Sequence, residues 1–287
     1  MSTPGTTTTS PTHSLDCLDV WGGNNSFDGA ISVPGLDVWV WSQPYESQAR
    51  GGDIYYTSMC RCHSISRFVI ADVSGHGEEV DNLARQLRKL MRKHINTPDQ
   101  TQLVRSLNRT FERLKQEGRF ATALLATYYP PTDHLIICNA GHPPPIWFNK
   151  ESGAWRFLTT DVSGQAGRVT NLPLGVIGKT TYTQFAVKLG LGDIVLVYTD
   201  PLIESMNPAG KMLGSHGLME LAVRLDTDDP QEACQKLLGE LAEYRNGAPP
   251  EDDQTLLVLS HNASDPPKMS LAEKMRVMTK MLRLVGN

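Results

Sequence analysis

Cysteine, net charge and long apolar runs are all scarce in this chain, and each scarcity excludes a class of protein. Five cysteines among 287 residues are too few, and odd in number, for a disulfide framework, so we expect reduced thiols in a cytoplasm. A formal net charge of −4 argues against broad electrostatic binding of nucleic acid. No apolar run approaches the roughly 20 residues that cross a bilayer, and the opening MSTPGTTTTSPTHS contains no apolar signal core. We therefore expect a cytoplasmic protein with neither nucleic acid nor membrane as a partner.

The residues that are present suit a globular protein with a large core. Hydrophobic residues make up 40% of the chain and charged residues 20%, which is ordinary for a folded domain. A compact chain of this length buries roughly three quarters of its unfolded surface. The composition therefore excludes a wholly disordered protein.

Apolar periodicity predicts strands and two pairs of helices. The first helix follows the glycines at 75–77 and ends before Asp99, and the second spans about 99–117. Two later helices are predicted at about 215–225 and 230–245. The predicted strands are 36–42, 54–59, 66–71, 121–129, 134–140, 144–148, 155–158, 183–189, 193–199 and 254–260. Runs of strands separated by helix pairs favour α+β layers over alternating βαβ units.

The two ends of the chain differ in composition from the middle. Residues 1–15 are rich in Ser, Thr and Pro, which predicts a disordered tail. Residues 16–45 read as an ordered extension of the domain, which is expected to span 16–262 as a single unit. Residues 263–287 are predicted to be a helical tail, with a helix over 270–285 after Pro266 and Pro267.

Five carboxylates stand at strand ends beside turn-forming residues. They are Asp53, Asp72, Asp200, Asp252 and Asp253. Carboxylates gathered at one place are costly unless positive charge neutralises them, and an oxygen-only set suits Mg²⁺, Mn²⁺ or Ca²⁺. Spacing alone leaves open the alternative that each is a turn former or a helix cap.

Seven strings occur in an order that carries more information than the spacing of single residues. They are GGD, ADVSGHG, FATALLATYY, NAGHPPP, LPLGV, GDIVLVYTD and DDQTLLVL. Together they resemble the SpoIIE-type, RsbU-like branch of the PPM family, the type 2C metal-dependent protein serine/threonine phosphatases. The resemblance covers about residues 45–260. It implies a four-layer α/β/β/α sandwich of two antiparallel sheets flanked by helix pairs, with two Mn²⁺ or Mg²⁺ ions at one end.

The resemblance also implies roles for individual residues. Asp72 matches the ligand that bridges both metals, and the carbonyl of Val73 matches a further ligand. Asp53 and Asp200 match acidic ligands, and either Asp252 or Asp253 matches the last one. Asp72 and Asp200 would act in catalysis through a metal-bound water that attacks the phosphate.

Four other residues are weighed beside the carboxylates. Arg50 lies three residues before Asp53 and could bind a substrate phosphate, although a surface arginine before a strand is the simpler interpretation. His76 and His142 are interpreted as structural, with His142 organising its loop. Tyr56 replaces an acid that the family often has after GGD.

Pro201 is a second departure from the family, because glycine usually follows the aspartate of YTD. Proline fixes φ and lacks an N–H, so the loop of Asp200 could be altered. The alternatives are therefore a catalytically weak phosphoprotein-binding regulator on the same fold, for which Tyr56 and Pro201 are the reasons, or a metallohydrolase of small phosphoesters.

The resemblance implies protein partners as well. The expected substrate is a phosphorylated anti-sigma-factor antagonist of the STAS type, in a bacterial partner-switching pathway. A protein regulator could act on the helix pair 78–117, because its first helix begins directly after the string that contains Asp72.

Overall fold

Two β-sheets face each other between two pairs of helices in the computed structural model. It describes residues 12–15, 18–60, 64–74, 78–96, 99–114, 120–159, 170–264 and 275. The helices within these ranges are α1 (Glu78–Lys93), α2 (Gln100–Leu114), α3 (Gly214–Ala222) and α4 (Pro230–Tyr244). The strands are β1 (Thr12–Ser14), β2 (Val20–Gly23), β3 (Phe27–Val33), β4 (Leu36–Gln43), β5 (Asp53–Met59), β6 (Ser66–Val73), β7 (Ala121–Tyr129), β8 (His134–Ala140), β9 (Ile146–Asn149), β10 (Ala154–Phe157), β11 (Phe185–Lys188), β12 (Ile194–Tyr198) and β13 (Gln254–His261).

The sheets are antiparallel apart from one short edge pairing. One sheet has the strand order β1-β3-β4-β13-β12-β9-β10, and the other has the order β11-β8-β7-β6-β5-β2. Only β1 and β3 are parallel among the described strands. Since strands from distant parts of the chain are neighbours, residues near positions 53, 72, 200 and 253 can meet at one edge.

Three apolar layers hold the sandwich together. Val40, Tyr55, Leu124 and Val195 lie among the side chains between the two sheets. The apolar faces of α1 and α2 cover the sheet of β5 to β8, and α3 and α4 cover the other sheet. Because each helix is apolar on one face only, burying these faces gives the predicted α/β/β/α sandwich, and that fold class is confirmed.

The strands differ from the sequence predictions mainly at their ends. Strand β9 begins at Ile146, two residues later than predicted, since Pro144 and Pro145 have no N–H to donate to a ladder. The sequence analysis did not predict strands within 16–35, where β2 and β3 pair with β5 and β4. Their apolar alternation is short and interrupted by glycine, which weakens the strand pattern.

The chain ends are described only in part. Thr12–Ser14, within the segment predicted to be a disordered tail, pairs with β3, and His13 stacks on Trp21. This differs from the expected tail because an aromatic neighbour and an open sheet edge are both available there. Most of 263–287, including the helix predicted over 270–285, lies outside the described residues, as does His76. No helix in the described ranges is both long and apolar enough to span a membrane.

Strand β12 is fixed at its start by a buried aspartate. Asp193 is fully buried and accepts hydrogen bonds from Trp147 Nε1 (3.0 Å), Lys150 N (2.8 Å) and Gly190 N (2.9 Å). These donors neutralise much of the cost of burying a carboxylate. Asp200 follows the opposite end of the strand.

Candidate active site

The register of the sheets brings the predicted acids to one end of the sandwich, where strands of both sheets begin or end. Asp53, the first residue of β5, pairs with Asp72 near the end of β6, and Asp72 pairs with Thr122 on β7. In the other sheet, Asp200 opens a short 3₁₀ turn (Asp200–Leu202) just after β12. Asp252 and Asp253 directly precede the adjacent strand β13.

A cavity of about 420 Å³ opens at this end of the sandwich. Six of the predicted site residues line it, namely Arg50, Asp72, Val73, Asp200, Asp252 and Asp253. The remaining lining residues are Tyr45, Gln48, Gly51, Gly52, Ser74, Phe120 and Thr122. Asp53 is the one predicted site residue that does not line the cavity.

Asp53 lies behind the cavity wall and contacts the opposite sheet. Its side chain is almost fully buried and accepts a hydrogen bond from Thr199 Oγ1 at 2.8 Å. Burial, together with the charge of Asp72, raises the pKa of Asp53 well above its usual value. Thr199, which the sequence analysis did not single out, thus connects Asp53 to the segment between β12 and Asp200.

Asp72 and Asp200, which line the cavity, both show signs of missing positive charge. Burial, with further repulsion from Asp200, Asp252 and Asp253, raises the pKa of Asp72 to about 7. Burial and Glu204 likewise raise the pKa of Asp200. The Oδ1 atom of Asp200 is buried and has no hydrogen-bond partner among the described residues.

Asp252 and Asp253 differ in what surrounds their carboxylates. Asp253 accepts hydrogen bonds from the backbone N–H groups of Tyr45 (2.6 Å) and Gly52, so it fixes the loop before β5. A Cβ at Gly51 would lie 2.5 Å from Asp253 Oδ1, so a side chain there would displace the Asp253 carboxylate. Asp252 is exposed and accepts only from the N–H of Asp253 (2.8 Å) among the described groups.

The donor set fits a hard divalent cation by its chemistry. No three His, Cys, Asp or Glu side chains in the described ranges are arranged closely enough to hold a metal ion as they stand. The cavity nevertheless brings together four carboxylates and the segment of Val73, and one buried oxygen of Asp200 lacks a donor. A cation would supply the neutralising charge that the surrounding side chains do not.

Both departures from the family lie where they leave these carboxylates in place. Tyr56 is buried beneath α1, donates its hydroxyl to Ala84 O (3.1 Å) and does not line the cavity. Pro201 stands in the first turn of the 3₁₀ segment, where a missing N–H costs no hydrogen bond of the turn. Neither residue therefore removes one of the carboxylates that line the cavity.

Arg50 lies on the cavity wall, whereas His142 lies behind it. Arg50 lines it but forms an ion pair with Asp81 on α1. His142 is buried behind Thr122, with Nδ1 2.8 Å from Thr122 Oγ1, and its backbone N–H binds Asn139 Oδ1 at 2.8 Å. Burial lowers the pKa of His142 to about 3, so the ring is neutral at physiological pH.

An α/β/β/α sandwich with carboxylates clustered where strands of both sheets end is the arrangement expected of the type 2C protein phosphatases. The family model described as Stage II sporulation protein E (SpoIIE) matches residues 65–262, which is more than half of the chain. The chain therefore belongs to the SpoIIE family. The predicted family is confirmed.

Individual relatives agree with the family assignment. Phosphoserine phosphatase RsbU of Bacillus subtilis (strain 168) is 25% identical over 232 residues, which cover 80% of this chain and 62% of RsbU. The chain thus spans less than two thirds of that relative.

Solved structures share the fold. The RsbU and RsbW domains of Rv1364c from Mycobacterium tuberculosis superpose with a TM-score of 0.66 at 25% identity, covering 88% of this chain and 69% of that one. The phosphatase domain and regulatory fragment of SpoIIE from Bacillus subtilis give a TM-score of 0.64 at 18% identity, covering 79% and 64%.

Proposed function

We propose that this protein is a metal-dependent phosphatase of phosphoserine or phosphothreonine in proteins. The observation that carries the proposal is the buried, unpartnered Oδ1 of Asp200 in a cavity lined by three further carboxylates. Such a cluster is stabilised by divalent cations. Two Mn²⁺ or Mg²⁺ ions would supply charge for the phosphate oxygens and lower the pKa of an attacking water.

The chain's own residues divide into those that hold cations and those that orient the holders. Asp72, Asp200, Asp252 and Val73 line the cavity, where the three carboxylates and the carbonyl of Val73 would act as ligands. Asp53 supports Asp72 from behind the wall, in contact with Thr199. Asp253 fixes the loop of Gly51 and Gly52 against the cavity. Arg50 would bind the substrate phosphate after leaving Asp81.

The proposed substrate is a phosphorylated anti-sigma-factor antagonist of the STAS type. Its support is the similarity to RsbU and to a solved protein in which an RsbU domain is joined to an RsbW domain. Dephosphorylation in a bacterial partner-switching pathway, in the cytoplasm, follows from the same analogy.

A regulator bound at the helix pair 78–117 has a structural route to the cavity. Asp81 on α1 binds Arg50 and accepts a hydrogen bond from Asn24 Nδ2 (3.0 Å). The same amide donates to Gly51 O (3.1 Å), and Gly51 N donates to Asn24 O (2.8 Å). Movement of α1 would therefore shift the loop before Asp53. Unchanged hydrogen exchange in α1 when a regulator binds would count against this route.

Phosphate release from a phosphoserine protein tests the proposed function. We expect release that requires Mn²⁺ or Mg²⁺ and that falls by at least about 100-fold in Asp72→Asn. The matched control is Asp37→Asn, which changes an exposed acid on β4 whose partner, Ser260, lies near the opposite end of the sheet. Equal activity of the wild type and Asp72→Asn would contradict the proposal.

A further inference from the structure

Phe120 is a large apolar side chain exposed at the rim of the acidic cavity. Its side chain is 44% exposed, and the residue belongs to the cavity lining. Single exposed hydrophobic residues are ordinary on protein surfaces and need no explanation. Phe120 differs from these because it borders the candidate site and because its backbone is fixed from both sides.

Ser74 fixes the backbone of Phe120 through three hydrogen bonds. Ser74 N and Ser74 Oγ both donate to Phe120 O, at 3.1 and 2.8 Å, and Phe120 N donates to Ser74 Oγ at 3.0 Å. Ser74 is two residues beyond Asp72, so it ties the backbone of Phe120 to the candidate metal site. The next residue, Ala121, exchanges two backbone hydrogen bonds with Leu174 (3.0 and 2.7 Å).

The ring of Phe120 offers a ligand little but apolar contact. The charged side chains of the lining are Arg50 and the carboxylates, which suit a phosphate and cations, whereas the ring of Phe120 suits neither. A small phosphate ester bound at the carboxylates has no atoms to spare for this contact. A polypeptide that enters with its phosphorylated residue must pass the rim and can cover the ring.

We propose that Phe120 contacts an apolar side chain adjacent to the phosphorylated residue of a protein substrate, and that Ser74 positions it. The ring thereby selects phosphoproteins with an apolar neighbour over small esters and over polar sequences. This inference rests on the proposed phosphatase activity and adds a feature of its substrate.

The test compares two phosphoserine peptides and free phosphoserine, a small ester without an apolar group, with Mn²⁺ present. The peptides are identical except that leucine or serine flanks the phosphoserine. We expect the wild type to prefer the leucine peptide by about tenfold in kcat/KM, mainly through KM. Phe120→Ala should reduce that preference to within about twofold while hydrolysis of the small ester is unchanged.

Three further variants separate contact from folding. Phe120→Tyr keeps the ring and should keep the preference, and Ser74→Ala should lower it in part. Leu191→Ala is the matched control, because Leu191 is 68% exposed and lies near Asp193, away from the cavity.

Failure of this inference can be distinguished from failure of the proposed phosphatase function. A full preference retained by Phe120→Ala, or an equal loss on the small ester and on both peptides, would overturn this inference alone. Absence of metal-dependent hydrolysis of every substrate by the wild type would overturn the proposed function and this inference with it.

Discussion

The two ends of strand β12 carry an aspartate each, and their surroundings are opposite. Asp193 precedes the strand and accepts three hydrogen bonds of 3.0 Å or less from Trp147, Lys150 and Gly190. Asp200 follows the strand, has a buried oxygen with no partner in the described ranges, and has a raised pKa. Both residues border turns and both are shielded from water to a large extent.

The difference teaches how to separate a structural carboxylate from a functional one. At Asp193 the protein supplies the donors, so the charge is satisfied within the fold. At Asp200 the nearest ionisable influences are acidic, so the local structure is stable only at an energetic cost that a bound cation would remove. Both residues stand beside turns at the ends of the same strand, and the hydrogen-bond donors around the carboxylate distinguish the two.

The largest effect on stability is expected from replacing Asp193, whose carboxylate accepts hydrogen bonds within the fold. Asp193→Asn places an amide against three N–H donors and should lower the free energy of unfolding by about 4 kcal/mol. Asp200→Asn removes a repelled charge and should leave the metal-free protein as stable or slightly more stable. Urea unfolding with a chelator present measures both, and equal losses in the two variants would remove the distinction.

A smaller effect should appear in how stability depends on pH. Since the pKa of Asp72 is raised to about 7, the folded metal-free protein keeps a proton there that the unfolded chain releases near pH 4. The contribution of Asp72 to the unfolding free energy therefore falls as pH rises through this window. We expect Asp72→Asn to gain about 3 kcal/mol relative to the wild type between pH 4 and pH 7.

Measuring the difference between the two proteins removes the titration of groups that do not interact with Asp72. Because the pKa of His142 is lowered to about 3, its neutral ring gives an opposite slope below pH 6.5, but that slope is common to both proteins. If the difference in unfolding free energy between the two proteins stays constant from pH 4 to pH 7, the raised pKa of Asp72 is contradicted.

Asp252 and Asp253 repeat the comparison on neighbouring residues. Asp253→Ala loses two bonds from backbone N–H groups and should cost about 2 kcal/mol of stability. Asp252→Ala should cost less than about 0.5 kcal/mol but raise the Mn²⁺ concentration needed for activity at least about tenfold. The reverse pattern, in thermal unfolding and in metal titration of activity, would exchange the two roles.

The smallest change is expected at Pro201. Because the proline fits the first turn after β12, Pro201→Gly should lower stability by under about 1 kcal/mol, through the freer unfolded chain. Activity on para-nitrophenyl phosphate should change by less than about threefold. A large gain in activity would instead favour the alternative of a catalytically weak phosphoprotein-binding regulator, for which Pro201 is one of the reasons.

The sequence predicted much of this structure because many of its signals are local. The apolar spacing of Val80, Leu87 and Met91 is complete within one helix and predicts α1 directly. The family strings likewise indicate the acids, since each acid stands in its string next to the start or the end of a strand.

What the sequence could not provide is contact between distant residues. Asp253 is distinguished from Asp252 by Tyr45 and Gly52, about 200 positions earlier, and Thr199 reaches Asp53 across 146 positions. Only the register of the two sheets brings such partners together. The same holds for Phe120, whose rim position depends on Ser74.

Calorimetric titration with Mn²⁺ at pH 7.5 tests most directly whether Asp200, which follows β12, belongs to a cation site. The account predicts that the wild type binds Mn²⁺ and releases protons as it does so, because Asp72 loses its proton when a cation binds. Asp200→Asn should bind at least about tenfold more weakly. Equal affinity in the wild type and Asp200→Asn, or no binding by the folded wild type, would contradict the account.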